Sequence, residues 1–219
     1  MQLLLVAGGA LVLLSGLLYC TFRDYWRAAV PLKTGLSVLF VLVAVMQPHP
    51  LPLYYRFLLP GLLLCLGGDF FLALPRRSMF LVGLVFFLLG HIAYVIGFVS
   101  LSPPDLSLWL EALLVVFVSG SIYRWLLPFL GRMKIPVLLY VVVISFMLIG
   151  AWGVLADERF NMAGRGMVFA GAFLFYVSDL FVARNRFVEK RFINRLVGLP
   201  LYYAGQFLLA FSVGVLQGV

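Results

Sequence analysis

Residues 62–77 read LLLCLGGDFFLALPRR, an apolar run broken by one acid, Asp69, and closed by Arg76 and Arg77. A carboxylate in the hydrocarbon core of a bilayer costs about 3 kcal/mol even on lenient insertion scales, so its presence there points to function. A second stretch, GAFLFYVSDLFVARNR at 171–186, repeats the plan around Asp179. Each acid follows a small residue and precedes a short apolar run with an alanine and then two arginines. The acids lie 110 positions apart in a chain of 219. That spacing predicts a duplicated membrane domain that brings two acids to one place.

The surrounding composition agrees. The chain is 64% hydrophobic and 11% charged, with a mean hydropathy of +1.13, whereas a soluble domain is about half apolar. A spanning helix takes about 20 residues. The pattern predicts an all-α polytopic membrane protein with eight transmembrane helices at 3–22, 31–47, 53–74, 79–100, 106–123, 134–156, 164–183 and 197–217. The second is the weakest, because Lys33 interrupts its start and Pro48, Pro50 and Pro52 crowd its end. Residues 1–219 form a single membrane domain with no room for a soluble one.

The net charge of +8 is decided by its distribution. Taken alternately, the loops on one side hold 13 of the 16 basic residues, among them Arg76, Arg77, Lys134 and the cluster from Arg184 to Arg195. The other side holds only Arg56, Arg159 and Arg165. By the positive-inside rule this split puts both termini outside. The basic residues face the cytoplasm and anionic headgroups, so nucleic acid is not an expected partner, and the expected location is a bacterial inner (plasma) membrane. The two cysteines, Cys20 and Cys65, sit in apolar stretches without a CxxC or His-rich context, so no zinc site or redox pair is expected.

The duplication extends beyond the acids. Gly83, Gly90 and Gly97 recur every seven residues in the fourth span, a stripe that permits close backbone approach. Gly198, Gly205 and Ser212 keep the same spacing in the eighth. A polar residue follows each middle member: His91 and Gln206. Four helices per copy is an even number, so the copies share orientation, as two parallel four-helix repeats at 1–105 and 106–219.

Depth follows from a rise of about 1.5 Å per residue. Asp69 and Asp179 lie at similar depth inside the cytoplasmic boundary. Tyr202 and Tyr203 enter from the same side, as does Tyr140, and Gln206 is one turn deeper than Tyr202 on the same face. His91 and Tyr94 lie deeper still. Two acids, three phenols, an amide and a histidine are thus placed to line one cavity. Taken singly, a tyrosine near a helix end is as readily an interface anchor, and a lone buried His or Gln is more often an inter-helix hydrogen-bond partner than a site residue. The paired aspartates have no such bland equivalent.

These motifs resemble the YhhN family of membrane proteins, which includes the animal lysoplasmalogenases. The similarity rests on Gly68-Asp69, on Gly90-His91 with Tyr94, on Ser178-Asp179 with Arg186-Phe187, and on Tyr202-Tyr203 with Gln206. Pro136 with Tyr140 also fits. The lysine that opens helix two in the family is followed there by proline; here it is Lys33-Thr34. The resemblance implies an integral-membrane hydrolase that cuts the vinyl-ether bond of lysoplasmalogens (alkenyl glycerophosphoethanolamine or glycerophosphocholine). The products are a fatty aldehyde and a glycerophospho-alcohol.

The residues suit that chemistry. A vinyl ether is stable to base and labile to acid; proton transfer to its β-carbon creates an oxocarbenium ion that water then traps. The task calls for a protonated carboxyl and a carboxylate, the two-acid logic of glycosidases. Asp69 and Asp179 are the catalytic expectation, with Lys33, His91, Tyr94, Tyr140, Tyr202, Tyr203 and Gln206 around the substrate and no metal or cofactor required. The sequence assigns the pair but not which member is the acid. The phosphate is expected toward Lys33, Lys134 or the helix-seven arginines. Two other readings stand beside the hydrolase: a small proton-coupled transporter of a lipid or amphiphile, since repeats and buried acids also build transporters, and a non-catalytic scaffold.

Overall fold

The computed structural model describes residues 2–103, 105 and 108–219. Residues 106 and 107, where the fifth span is expected to begin, lie outside the described residues. Long apolar segments can satisfy their backbone polar groups in lipid only by coiling, and the chain does so almost throughout. The elements are α1 (Gln2–Phe22), α2 (Trp26–Met46), α3 (Pro52–Ala73), α4 (Arg77–Leu101), α5 (Trp109–Leu126), α6 (Lys134–Ala156), α7 (Met162–Ala183) and α8 (Phe192–Val215). Among the described residues, α2 to α8 are each long and apolar enough to cross a membrane, and α1 is apolar as well. The fold is an all-α polytopic membrane bundle.

Element ends depart from the sequence expectation where turns compete. Helix α2 begins at Trp26, five residues ahead of the expected start, and runs through Pro31. The Tyr25 carbonyl accepts from the Ala28 and Ala29 amides, so the helix is nucleated before the proline is reached. Helix α8 likewise starts at Phe192 and continues through Pro200, as α3 does through Pro60. Two 3-10 turns, Leu127–Phe129 and Gly131–Met133, join α5 to α6. A π-turn at Arg184–Val188 extends α7 toward the loop before α8.

Helices α3 and α4 pack as one close pair, and α7 and α8 as another. Glycine makes both crossings possible. A Cβ on Gly90 would lie 3.1 Å from the Gly61 carbonyl oxygen, and one on Gly205 would lie 2.8 Å from that of Gly171. Helix α2 packs on α3 and on α8, while α6 packs on α7 and on α4. Helix α5 rests against α6 and is otherwise peripheral; Leu113, Leu114, Val116 and Phe117 are exposed, as lipid-facing side chains are. The end of the bundle where α1, α3, α5 and α7 finish carries the basic loops.

Candidate active site

A cavity of about 940 Å³ opens at the basic end, walled by residues from all eight helices. Asp69 stands in the last turn of α3 and Asp179 one turn before the end of α7, and both line it. Their surroundings differ sharply.

Asp69 is 1% exposed. Its Oδ1 lies 2.9 Å from Lys33 Nζ, and the lysine side chain is only 8% exposed. Its Oδ2 accepts from Ser37 Oγ and from the Tyr202 hydroxyl, each at 2.5 Å. A buried carboxylate is tolerable only when paired and hydrogen-bonded, and here one ammonium and two hydroxyls meet it. Asp179 is half-buried. It accepts from the Tyr140 hydroxyl at 2.5 Å, and among the described residues no cation lies within ion-pair distance of it. One acid therefore sits in the environment of a carboxylate, and the other faces the cavity with a phenol as its partner.

Of the nine residues singled out from the sequence, Lys33, Asp69, Tyr140, Asp179 and Tyr202 line the cavity. The other four stand behind its wall. Tyr94 donates to Gln206 Oε1 at 2.9 Å, and Gln206 Nε2 donates to the Tyr202 oxygen at 3.1 Å. A polar chain thus runs Tyr94–Gln206–Tyr202–Asp69. Tyr203 donates to the Lys33 carbonyl at 3.1 Å and ties α8 to α2. His91 is fully buried, and among the described residues its ring nitrogens meet no polar group besides the Phe87 carbonyl one turn earlier. The ring meets Phe175 and Tyr140 edge-on, with centroids 4.6 and 5.2 Å away, and so buttresses the phenol that binds Asp179.

Ser37 was not among the residues read from the sequence. The available signal is its position four after Lys33, which puts both on one face of α2. The rest of the cavity is apolar, with Leu84, Phe87, Ile122, Val141 and Ile144 in its wall. The hydroxyls of Ser119 and Tyr176, 2.8 Å apart, interrupt that surface, and Ser145 backs them at 2.7 Å from Ser119. The mouth is basic, with Arg76, Arg186, Lys190, Arg191 and Arg195 around it. Lys134 is not part of the lining. The described residues contain no group of three or more His, Cys, Asp or Glu side chains placed to hold a metal ion.

The profile of the YhhN family matches residues 28–213. The chain is similar to lysoplasmalogenase TMEM86A of Bos taurus, 34% identical over 157 residues, which covers 69% of this chain and 62% of that protein. It is similar to a lysoplasmalogenase of Mycobacterium tuberculosis (strain CDC 1551 / Oshkosh), 28% identical over 178 residues, covering 78% and 64%. A lysoplasmalogenase homolog of Dictyostelium discoideum is 29% identical over 216 residues, covering 83% and 69%. The match thus spans less than two thirds of the length of the first two relatives. No solved structure matches the chain.

Proposed function

The chain belongs to the YhhN family, and from that membership we propose that it is a membrane-embedded hydrolase of the vinyl-ether bond of lysoplasmalogens. The observation that carries the reading is the unequal acid pair in one cavity: Asp69 ion-paired with Lys33, and Asp179 hydrogen-bonded to Tyr140 with no cation in ion-pair distance among the described residues. The relatives' printed names supply the substrate class.

In the proposed reaction Asp179 gives its proton to the β-carbon of the alkenyl chain. The double bond supplies the electron pair for the new C–H bond, and the α-carbon and ether oxygen share the positive charge. Asp69, held as a carboxylate by Lys33, Ser37 and Tyr202, faces that charge and stabilises it electrostatically. Water adds to the α-carbon as one of its protons passes to a carboxylate, and the hemiacetal collapses. The balance is R–CH=CH–O–R′ plus water giving R–CH₂–CHO plus HO–R′. The apolar wall receives the tail, and the wet, basic mouth receives the glycerophospho end.

Two parallel four-helix repeats, 1–105 and 106–219, are part of the same proposal. The packing supports them: Gly61 against Gly90 is matched 110 and 115 positions on by Gly171 against Gly205, and α2 on α8 is matched by α6 on α4. A repeat explains how two acids from distant sequence reach one cavity. The proposed setting is a bacterial inner membrane with the basic end cytoplasmic. The transporter alternative gains no support: among the described residues, none of the opposite loops (47–51, 102–108, 157–161) lines the cavity.

The deciding experiment is purified protein in detergent with a lysoplasmalogen, scored for released aldehyde. Release that needs both acids sustains the hydrolase. Lysoplasmalogen bound but left intact would refute it. Detergent offers no second compartment, so turnover there is not transport.

A further inference from the structure

Three arginines that line the cavity mouth, Arg76, Arg186 and Arg195, have no carboxylate partner among the described residues. The acids at this end are already engaged: Glu189 with Arg191 at 2.5 Å and Asp24 with Lys190 at 3.9 Å. Arg184 is tied to Asn194 Oδ1 at 3.2 Å, and Asn194 in turn to the Glu189 carbonyl. Arg186 is held in place over the Phe80 ring, 4.3 Å from its centroid. Arg195 is half-buried and near enough to Arg186 for their charges to interact. It also stands in the first turn of α8, where the helix dipole disfavours a cation. Such an arrangement is costly in the empty protein, and an anion between the two guanidinium groups offsets the cost.

We propose that Arg186 and Arg195 form an oxyanion-binding site for the phosphate ester of a single-chain lipid whose tail occupies the apolar part of the cavity. Guanidinium forks match phosphate oxygens in charge and geometry. Of the rival cations, Lys33 is bound to Asp69, Lys134 is not in the lining, and Arg76 lines the mouth but among the described residues has no ring or side chain holding its guanidinium as Phe80 holds Arg186. The inference rests on reading the cavity as a lysophospholipid site, but it does not require the hydrolytic reaction.

The test uses ligands that cannot be hydrolysed: a saturated alkyl lysophospholipid, the matching phosphate-free monoalkylglycerol, and glycerophosphate without a tail. The full chain in detergent should bind the lysophospholipid about 10- to 100-fold more tightly than the monoalkylglycerol, the range for hydrogen bonds to a charged group. Arg195→Gln should erase that margin and leave monoalkylglycerol binding unchanged. Because it also removes like-charge repulsion, the ligand-free variant should melt at or above the parent temperature. Arg186→Gln should erase the margin too, while losing its packing on Phe80. A retained margin in Arg195→Gln overturns the site. So does weaker binding of both lipids with a lower melting temperature, which marks a structural arginine. Glycerophosphate bound as tightly as the lysophospholipid would make the ligand a soluble phosphate ester and overturn the lipid assignment. If the margin holds but no aldehyde is released from a lysoplasmalogen, the reaction fails and the site stands.

Discussion

Replacing Lys33 by Met tests whether this lysine serves the substrate or the acid. Read from the sequence alone, Lys33 is one of several candidate phosphate ligands, and if it meets the phosphate its loss should raise KM more than it lowers kcat. The structure instead spends its ammonium on Asp69, 2.9 Å away, with both side chains under 10% exposed. At an effective dielectric of about 20 the Coulomb attraction at that distance is about 6 kcal/mol. Removing one partner of such a buried pair typically costs about 3–5 kcal/mol, because the other charge stays behind uncompensated. Ser37 and Tyr202 still donate to Asp69 and keep the loss near the lower end. The assay is thermal unfolding in detergent across Lys33→Met, Asp69→Asn and the double variant, together with steady-state kinetics. Lys33→Met should lower stability by about 3 kcal/mol, and the double variant should recover most of it. The kinetics should show kcat reduced and KM nearly unchanged, the mark of an interaction that matters in the transition state. A Lys33→Met protein with parental melting and kcat but a raised KM would refute this reasoning and return the lysine to the phosphate.

Asp69→Asn and Asp179→Asn should each lose at least about 100-fold in turnover, the lower end for general acid–base catalysis, with far-UV circular dichroism unchanged; near-normal turnover by either would end the two-acid mechanism. Turnover in D₂O should slow and leave deuterium on the α-carbon of the aldehyde, whereas an acyl lysophospholipid should be inert; an aldehyde without deuterium removes carbon protonation as the route. Gly205→Val should destabilise the protein by roughly 1–3 kcal/mol, as overpacking does, since its Cβ meets the Gly171 carbonyl at 2.8 Å. Gly120→Ala, with nothing within 4 Å of the added atom, is the control that should melt normally. A reporter fused after Val219 should appear on the side opposite the basic loops, and a reading on the same side would mean an odd number of crossings.

The helical plan was legible because lipid leaves a long apolar segment little choice but to coil, and the basic loops mark its ends. Distance along a helix from Arg76 or Arg184 ranks side chains by level, but it does not say which of them face the same space. Tyr202 and Tyr203 are adjacent in sequence, yet one phenol reaches Asp69 and the other the Lys33 carbonyl. A helix turns about 100° between neighbours, so that difference is fixed by how α8 is rotated against α2. Ser37 was missed for a related reason. Serine is unremarkable in a membrane helix, and its role appears only when α2 is placed against α3. The start of α2 was misplaced because a proline reads as a boundary, while here the Tyr25 carbonyl had already begun the helix.

The residues behind the cavity wall acquire a role once hydrogen-bond directions are followed. Tyr94 donates to Gln206 Oε1, which turns the amide so that its Nε2 faces Tyr202. The Tyr202 oxygen accepts from that amide, and its single proton remains for Asp69. The amide thus acts as a directional connector: reversed, it would present an acceptor to Tyr202 and compete for the proton that Asp69 receives. Donation from Tyr94 to the amide oxygen favours this direction. Four consecutive members, from Tyr94 to Asp69, therefore decide how many donors the carboxylate has, although only the last two touch the cavity. Burial is what gives the arrangement its force, since a polar group there has no water to replace a lost partner. A polar residue without access to the cavity is in this protein a way to orient one that has it.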